Sequence, residues 1–415
     1  MSTRVLKAQD EKITDEMVEV AKSEGICEKF LKDSIAKGHI VILKNKIRKD
    51  IPPVAIGNGL RTKVCASICV NSCENSLSCE LDKLRVAQEA GVDCVFDISA
   101  SSYIKEARQA LLLNSKVPLG TNPFLELGYN ALADEFGLIN ISTKAMLDVV
   151  ENHCKEGVDF VSLNCGLTKS LVMQFLAQGR LSKITSQGAQ ILFDWIEKTE
   201  LENPYYRYFD ELLEILKKYD VTLHLASAFK TGSISDSFDS LQIAEYAIIG
   251  ELARRANKAG VQVMSDGFGH VSINKIPSLV NLIKEITLKV PLFVSSAFAC
   301  DCAVGHDNIS SSIANSIAAT NGANLLNVVS GVDYLKPSSS AQLREGVISS
   351  KISAHCADIA NNNSDIIKQN YKLSFARTNE NWNNIVKNSI DKTVFDGIKV
   401  NNLKYLTRFY TFNII

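Results

Sequence analysis

Residues 205–225 read Tyr205-Tyr-Arg-Tyr-Phe-Asp-Glu-Leu-Leu-Glu-Ile-Leu-Lys-Lys-Tyr-Asp-Val-Thr-Leu-His-Leu225, and two periodicities meet in them. Over Tyr205 to Lys218, the residues Phe209, Leu212, Leu213, Ile215 and Leu216 recur at helical spacing between charged positions, which predicts an amphipathic helix able to cover a sheet. Val221 to Leu225 is short, apolar and closed by turn signals, the pattern of a buried strand. A helix running directly into such a strand is half of a βα repeat.

The same alternation extends from about residue 90 to residue 360. Strands are predicted at Val92 to Ile98, Val117 to Leu119, Val158 to Leu163, Lys183 to Thr185 (weak), Val221 to Leu225, Val261 to Met264, Leu292 to Val294 and Asn324 to Val329. Helices are predicted at Tyr103 to Asn114, Thr143 to Glu156, Ala189 to Lys198, Tyr205 to Lys218, Asp236 to Ala259, Lys275 to Leu288, Ser310 to Asn321 and Ala341 to Ala360. Eight strands are the number that closes a parallel barrel, although an open doubly wound sheet uses the same units. The expected class is α/β: a (β/α)8 TIM barrel over 91–360, an N-terminal cap domain over 1–90, and a short C-terminal helical extension over 361–415. The cap holds a helix-like Thr14 to Glu24 and a strand-like Ile40 to Leu43. The extension is Asn-rich, with a helix expected around Trp382 to Ile390 and an aromatic end, Phe409 to Ile415.

Charge excludes some partners. The 415 residues carry 45 Lys plus Arg against 46 Asp plus Glu, a net charge of −1, so neither nucleic acid nor an anionic membrane is an expected partner. Met1 to Lys12 lacks the apolar run of a secretory signal, and the chain is expected to be soluble and cytoplasmic. Its 11 cysteines are then expected as reduced thiols, mostly in the core.

Active sites of such barrels gather at the carboxyl ends of the strands. The residues there are Asp97 with Ser99, Asn164 with Cys165, Ser186-Gln187-Gly188, Ser227 with Lys230, Asp266 with His270, Ser295 with Ser296, and Ser330 with Tyr334. Ser186 to Gly188 open a predicted helix, so their N–H groups could hold a phosphate or simply form a cap, and Lys230 could neutralise the same anion. The glycines of Asp266-Gly-Phe-Gly-His270 would let Asp266 and His270 face one mouth, where a carboxylate can orient an imidazole. Cys65, Cys69, Cys73 and Cys79 are spaced Cys-x3-Cys-x3-Cys-x5-Cys, which fits core cysteines better than an iron–sulfur motif. Cys300, Cys302 and His306 form a second group of the same standing.

Five stretches carry a family resemblance: Val54-Ala-Ile-Gly-Asn-Gly-Leu60, Val117-Pro-Leu-Gly-Thr121, Asp220-Val-Thr-Leu223 leading to Gly232-Ser233, Gly260-Val-Gln-Val-Met264 leading to Gly267-Phe-Gly-His-Val271, and Ala354-His-Cys-Ala-Asp358. In this order and spacing, over about residues 10–395, the chain resembles the phosphomethylpyrimidine synthase (ThiC) family, which includes 5-hydroxybenzimidazole synthases. The resemblance implies a barrel with an N-terminal domain, usually dimeric. It also implies a four-iron four-sulfur cluster, S-adenosylmethionine and a divalent metal, and a radical rearrangement of 5-aminoimidazole ribotide.

Carried over residue by residue, the pocket departs from the family. Its substrate-binding Asn falls at Ser67, its Met at Phe96, its Tyr after the second strand at Leu125 and its His at Asn164. Its Ser-Arg-Gly phosphate loop falls at Ser186, Gln187 and Gly188, its Asp-Gly-Leu-Arg at Ser227 to Lys230, its Glu-Gly-Pro-Gly-His at Asp266 to His270, and a further Tyr at Phe293. Of two metal-binding histidines, His270 is kept and the second position is Tyr334. No cysteine follows Cys356, so the family's Cys-x2-Cys-x4-Cys motif has no counterpart in these residues, and the cofactors for this chain are expected to be those of the family or none. Three functions follow as expectations. The first is a divergent subunit of cobamide lower-ligand (5-hydroxybenzimidazole) biosynthesis with impaired catalysis of its own. The second is phosphomethylpyrimidine synthase of thiamine biosynthesis, and the third is a non-catalytic scaffold for an active paralogue. The expected partners are a second copy or a family paralogue, and a small phosphorylated ligand.

Overall fold

A computed structural model describes residues 2–70, 76–132, 137–379 and 381–396. Its strands, in chain order, are β1 (Ile40–Leu43), β2 (Val54–Gly57), β3 (Lys63–Ile68), β4 (Cys94–Asp97), β5 (Leu119–Thr121), β6 (Phe160–Leu163), β7 (Thr222–Leu225), β8 (Val263–Asp266), β9 (Gly269–His270), β10 (Leu292–Val294), β11 (Ala297–Phe298) and β12 (Leu325–Asn327). Strands β3 to β8, β10 and β12 close into a barrel with every pair parallel, so the fold is a (β/α)8 barrel. The open-sheet alternative falls away.

The predicted strand Lys183 to Thr185 is irregular backbone, and its place in the barrel is taken by β3. Thus the barrel begins at Lys63, and it and helix Leu77–Ala90 belong to the barrel rather than to a unit ending at residue 90. The residues of β3, Lys-Val-Cys-Ala-Ser-Ile, have weak strand propensity. What keeps Lys63 in place is an ion pair with Glu24, 2.9 Å away on helix Asp15–Glu24 of the N-terminal unit.

The predicted helix Tyr205 to Lys218 is two helices, Pro204–Arg207 and Phe209–Tyr219. Asn203 caps the first, whose Pro204 sits where its missing N–H costs nothing. The second buries Phe209, Leu212, Leu213, Leu216 and Tyr219, the stripe that the periodicity requires. Helices Pro123–Leu132, Lys169–Gln178 and Ser364–Thr378 lie outside the predicted set.

The barrel's interior is packed by Cys65, Cys94, Phe160, Met264, Phe293 and Leu325, and Val41, Leu43 and Ile56 of the β1–β2 hairpin close it at the amino-terminal end. Gly120 makes this possible: a Cβ there would lie 2.1 Å from the Phe160 ring, so only glycine admits the phenyl. A separate cluster, including Val5, Met17, Val20, Leu31, Ile35, Ile40 and Ile42, ties the N-terminal helices to the hairpin. At the other end β9 pairs with β11 to raise a small parallel sheet above the barrel strands. Among the described residues no helix is long and apolar enough to cross a membrane. Of the predicted C-terminal features, Phe409 to Ile415 fall outside the described residues.

Candidate active site at the barrel mouth

Asp266 ends β8 and is fully buried. Its carboxylate accepts from Lys230 Nζ (2.9 Å), Ser295 Oγ (2.6 Å), Ser227 N (3.0 Å) and Gly267 N (2.7 Å). Burial pushes its pKa up, but the Lys230 ammonium and His224 outweigh burial and hold it well below the usual carboxylate range. Lys230 also donates to Ser295 Oγ at 2.7 Å, so two of its three N–H donors are taken by this carboxylate and hydroxyl. The loop carrying Ser227 and Lys230 is set by Glu245, fully buried on helix Ser240–Ala259, which accepts from Ser227 Oγ, Ala228 N (2.7 Å) and Phe229 N (2.9 Å). Burial raises the pKa of Glu245.

The imidazole nearest Asp266 is that of His224, not His270. His224 points into the barrel from β7, with Nδ1 2.9 Å from Ser162 Oγ and Nε2 3.6 Å from Asp266 Oδ1. Its Nε2 is buried with no hydrogen-bond partner. His270, on β9, faces Asp301 instead: Nδ1 is 2.7 Å from Asp301 Oδ1, and Nε2 is bonded to the Tyr334 hydroxyl. A carboxylate only accepts, so Nδ1 carries the proton and Nε2 accepts from the phenol. Phe298 stacks on the imidazole at 4.7 Å and meets Tyr334 edge-on at 5.1 Å, fixing both rings. Asp266 and His270, expected to face each other across one mouth, are therefore paired elsewhere, Asp266 with His224 and His270 with Asp301.

Most of the other aligned positions are apolar or engaged. Phe96 stacks on Phe160 at 5.8 Å and meets Phe293 edge-on at 6.4 Å, making an aromatic floor under the polar ring. Ser67 Oγ donates to Asn327 Oδ1 (3.1 Å), and Asn164 Nδ2 donates to Ala226 O (3.2 Å). Leu125 is buried in helix Pro123–Leu132. Ser186 is the N-cap of helix Gln187–Thr199, but its hydroxyl makes no cap bond, and Gln187 is exposed. Gly188 is packed so tightly on Asn122 that a Cβ would lie 2.5 Å from the amide nitrogen. Beside this ring lies a cavity of about 540 Å³, lined by Ser67, Cys69, Ile98, Asn327, Tyr334 and Leu335 among others.

Asp97, at the end of β4, is fully buried and accepts from Ser99 N at 2.9 Å. Burial raises its pKa to about 6. A carboxyl whose folded pKa exceeds its unfolded value of about 3.9 binds more protons in the native state, so it weakens the fold as pH rises from about 4 to 6. Asp97→Asn is expected to stabilise the protein by about 1–3 kcal/mol at pH 7 and to flatten that part of the stability profile in urea titrations.

Fit to the family's metal and cluster is decided by the donor set. Both ring nitrogens of His270 are engaged, and the Tyr334 phenol, pushed up to about 12 by burial, is a poor ligand at neutral pH. Among the described residues no three His, Cys, Asp or Glu side chains converge in a way that could hold a metal ion. Cys65 is buried on β3, the Cys69 thiol is raised to about 12 by burial, Cys79 is exposed on a separate helix, and Cys73 lies outside the described residues. Cys300 sits 3.7 Å from Ser310 Oγ while Cys302 and His306 are exposed, so this second group does not gather either.

Sequence comparisons identify the family. A profile of the Radical SAM ThiC family matches residues 3–407. A phosphomethylpyrimidine synthase of Thermoanaerobacter sp. (strain X514) is 38% identical over 379 residues, 91% of this chain and 88% of that protein. A 5-hydroxybenzimidazole synthase BzaA of Moorella thermoacetica is 37% identical over 383 residues, 91% of this chain and 88% of that protein. Among solved structures, a dihydropteroate synthase of Coxiella burnetii overlaps with a TM-score of 0.40 at 12% identity, covering 77% of this chain and 99% of that one. With the profile spanning nearly all of its length, the chain belongs to the radical SAM ThiC family.

Proposed function

We propose that this chain is a divergent ThiC-family subunit of the cytoplasm, serving the benzimidazole branch of the family with little catalysis of its own and pairing with a second copy or an active paralogue. The observation that carries this reading is the commitment of Lys230 to Asp266 and Ser295. An ammonium whose charge is already offset by a buried carboxylate attracts a phosphate weakly, and Gln187 offers no guanidinium fork beside it. The apolar floor of Phe96 and Phe293 adds no hydrogen bond to a polar substrate. Identity to 5-hydroxybenzimidazole synthase BzaA over most of the chain supports the branch. Similar identity to phosphomethylpyrimidine synthases supports a second reading, thiamine pyrimidine formation. A purely scaffolding role is the limiting case of the first.

Anaerobic assays test it. With iron, sulfide, S-adenosylmethionine, a reductant and 5-aminoimidazole ribotide, the chain alone is expected to form no deoxyadenosine above an enzyme-free blank. It is expected to alter the turnover of a cluster-bearing paralogue when the two are mixed. Ribotide-dependent deoxyadenosine formation by the chain alone would sink the proposal.

A further inference from the structure

At the amino-terminal end of the barrel, opposite the mouth, a recess of about 270 Å³ lies between the start of β3, the turn before β4, helix Ser340–Ala360 and the C-terminal helices. Arg61, Lys351, Lys387 and Lys392 bring four positive charges to its wall, against two carboxylates, Asp93 and Asp358. Both carboxylates are already engaged. Asp93 is gripped by both terminal nitrogens of Arg61 and accepts from Val64 N at 2.8 Å. Asp358 accepts from Thr62 N (2.9 Å) and Thr62 Oγ1 (2.7 Å). Asp391, next to Lys392 in the chain, is paired with Arg344 at 2.6 Å.

With Arg61 matched by Asp93, three lysines face the one further carboxylate, Asp358, an excess of two positive charges on the wall. Lys351 Nζ donates only to a carbonyl, Ala90 O, at 2.9 Å. Burial pushes its pKa down; Asp93 and Asp391 oppose this, and the repulsion of Arg61 and Lys392 adds to it. Lys387 and Lys392 form no ion pair among the described residues. Uncompensated like charges around a partly enclosed space repel, and the group that relieves them is an anion able to reach several at once. Of the polar remainder of the wall, Thr62 and Ser389 spend their hydroxyl protons on Asp358 and Ile385 O, which leaves the second amide proton of Gln369 and the other ring nitrogen of His355 to meet oxygen atoms.

We propose that this basal recess binds a small, multiply charged oxyanion, and that the anion clasps the C-terminal helices to the barrel. The clasp follows from where the cations stand: Arg61 and Lys351 belong to the barrel wall, Lys387 and Lys392 to the extension. Gln369 already joins the two C-terminal helices by donating to Asn388 O at 2.9 Å, so an anion holding one would hold both.

Calorimetric titration of the full chain with inorganic pyrophosphate, at low salt, tests this. One saturable site is expected, weakened at least tenfold in Lys351→Met and in the double variant Lys387→Met/Lys392→Met, and unchanged in Lys198→Met on a distant exposed helix position. The double variant changes only exposed side chains, so it remains informative if Lys351→Met fails to fold. A parallel titration with citrate separates a phosphate-selective site from one that takes any polyanion of this size; saturable binding of either supports the proposal. No saturable heat with either anion, or equal losses in Lys198→Met, would overturn it.

Discussion

Lys230→Met is expected to cost about 3–5 kcal/mol of stability at pH 7, because it leaves the Asp266 carboxylate buried without its counter-ion. The three remaining donors, Ser295, Ser227 and Gly267, are neutral and cannot replace the ammonium. The sign with pH is fixed by the direction of the shift. Asp266 has a folded pKa below its unfolded one, so its contribution is complete above about pH 4 and disappears as pH falls further. In the variant the carboxyl is expected to take up a proton, and the deficit relative to the native chain should shrink toward acid pH. Urea unfolding of both proteins at several pH values measures it. A deficit under about 1 kcal/mol at pH 7 would mean that Lys230 is not held by Asp266 and remains available to a ligand.

An effect of the same size is expected far from the mouth. Arg108, almost wholly buried on helix Ile104–Asn114, donates to Glu156 (2.8 and 3.2 Å) and Glu126 (2.6 Å) and lies 2.7 Å from His153 Nε2. His153 Nδ1 is in turn 2.8 Å from Thr121 Oγ1, which links the network to β5. Arg108→Met removes the guanidinium shared by both carboxylates and is expected to cost about 3–5 kcal/mol. Glu126 adds a pH signature. Burial raises its pKa, but His153 and Arg108 outweigh burial and hold it at about 2. Its stabilisation is therefore complete above the unfolded value near 4.5 and is lost as pH falls toward 2. The native protein should lose stability through that window, and the variant should show a flatter acid limb. Equal acid limbs in thermal or denaturant melts would contradict the network.

The barrel was legible where the chain uses β-branched runs and regular helical stripes. Leu292 to Val294 and Thr143 to Glu156 were placed to the residue, because a compact apolar run and a helical stripe between the caps Ser142 and Gly157 mark them locally. β3 escaped because Lys63 and the small residues after it acquire strand character only when the barrel closes and Glu24 arrives from the N-terminal unit. The mouth shows the same division. Sequence proximity joined Asp266 to His270, whereas the folded chain gives Asp266 to His224 and His270 to Asp301. His224 sits within an apolar strand, and Glu245 on the buried face of a long helix, so no local pattern distinguishes either from a core position. Their roles come from the barrel's closure, which brings the end of β7 beside the end of β8.

The account stands on the mouth's ionic groups being engaged with one another, and the binding of 5-aminoimidazole ribotide measures that most directly. Isothermal titration of the folded chain with the ribotide is predicted to give no saturable heat, or a Kd weaker than about 1 mM. A Kd in the micromolar range would show that Lys230 and its neighbours still receive the phosphorylated ligand, and would contradict it.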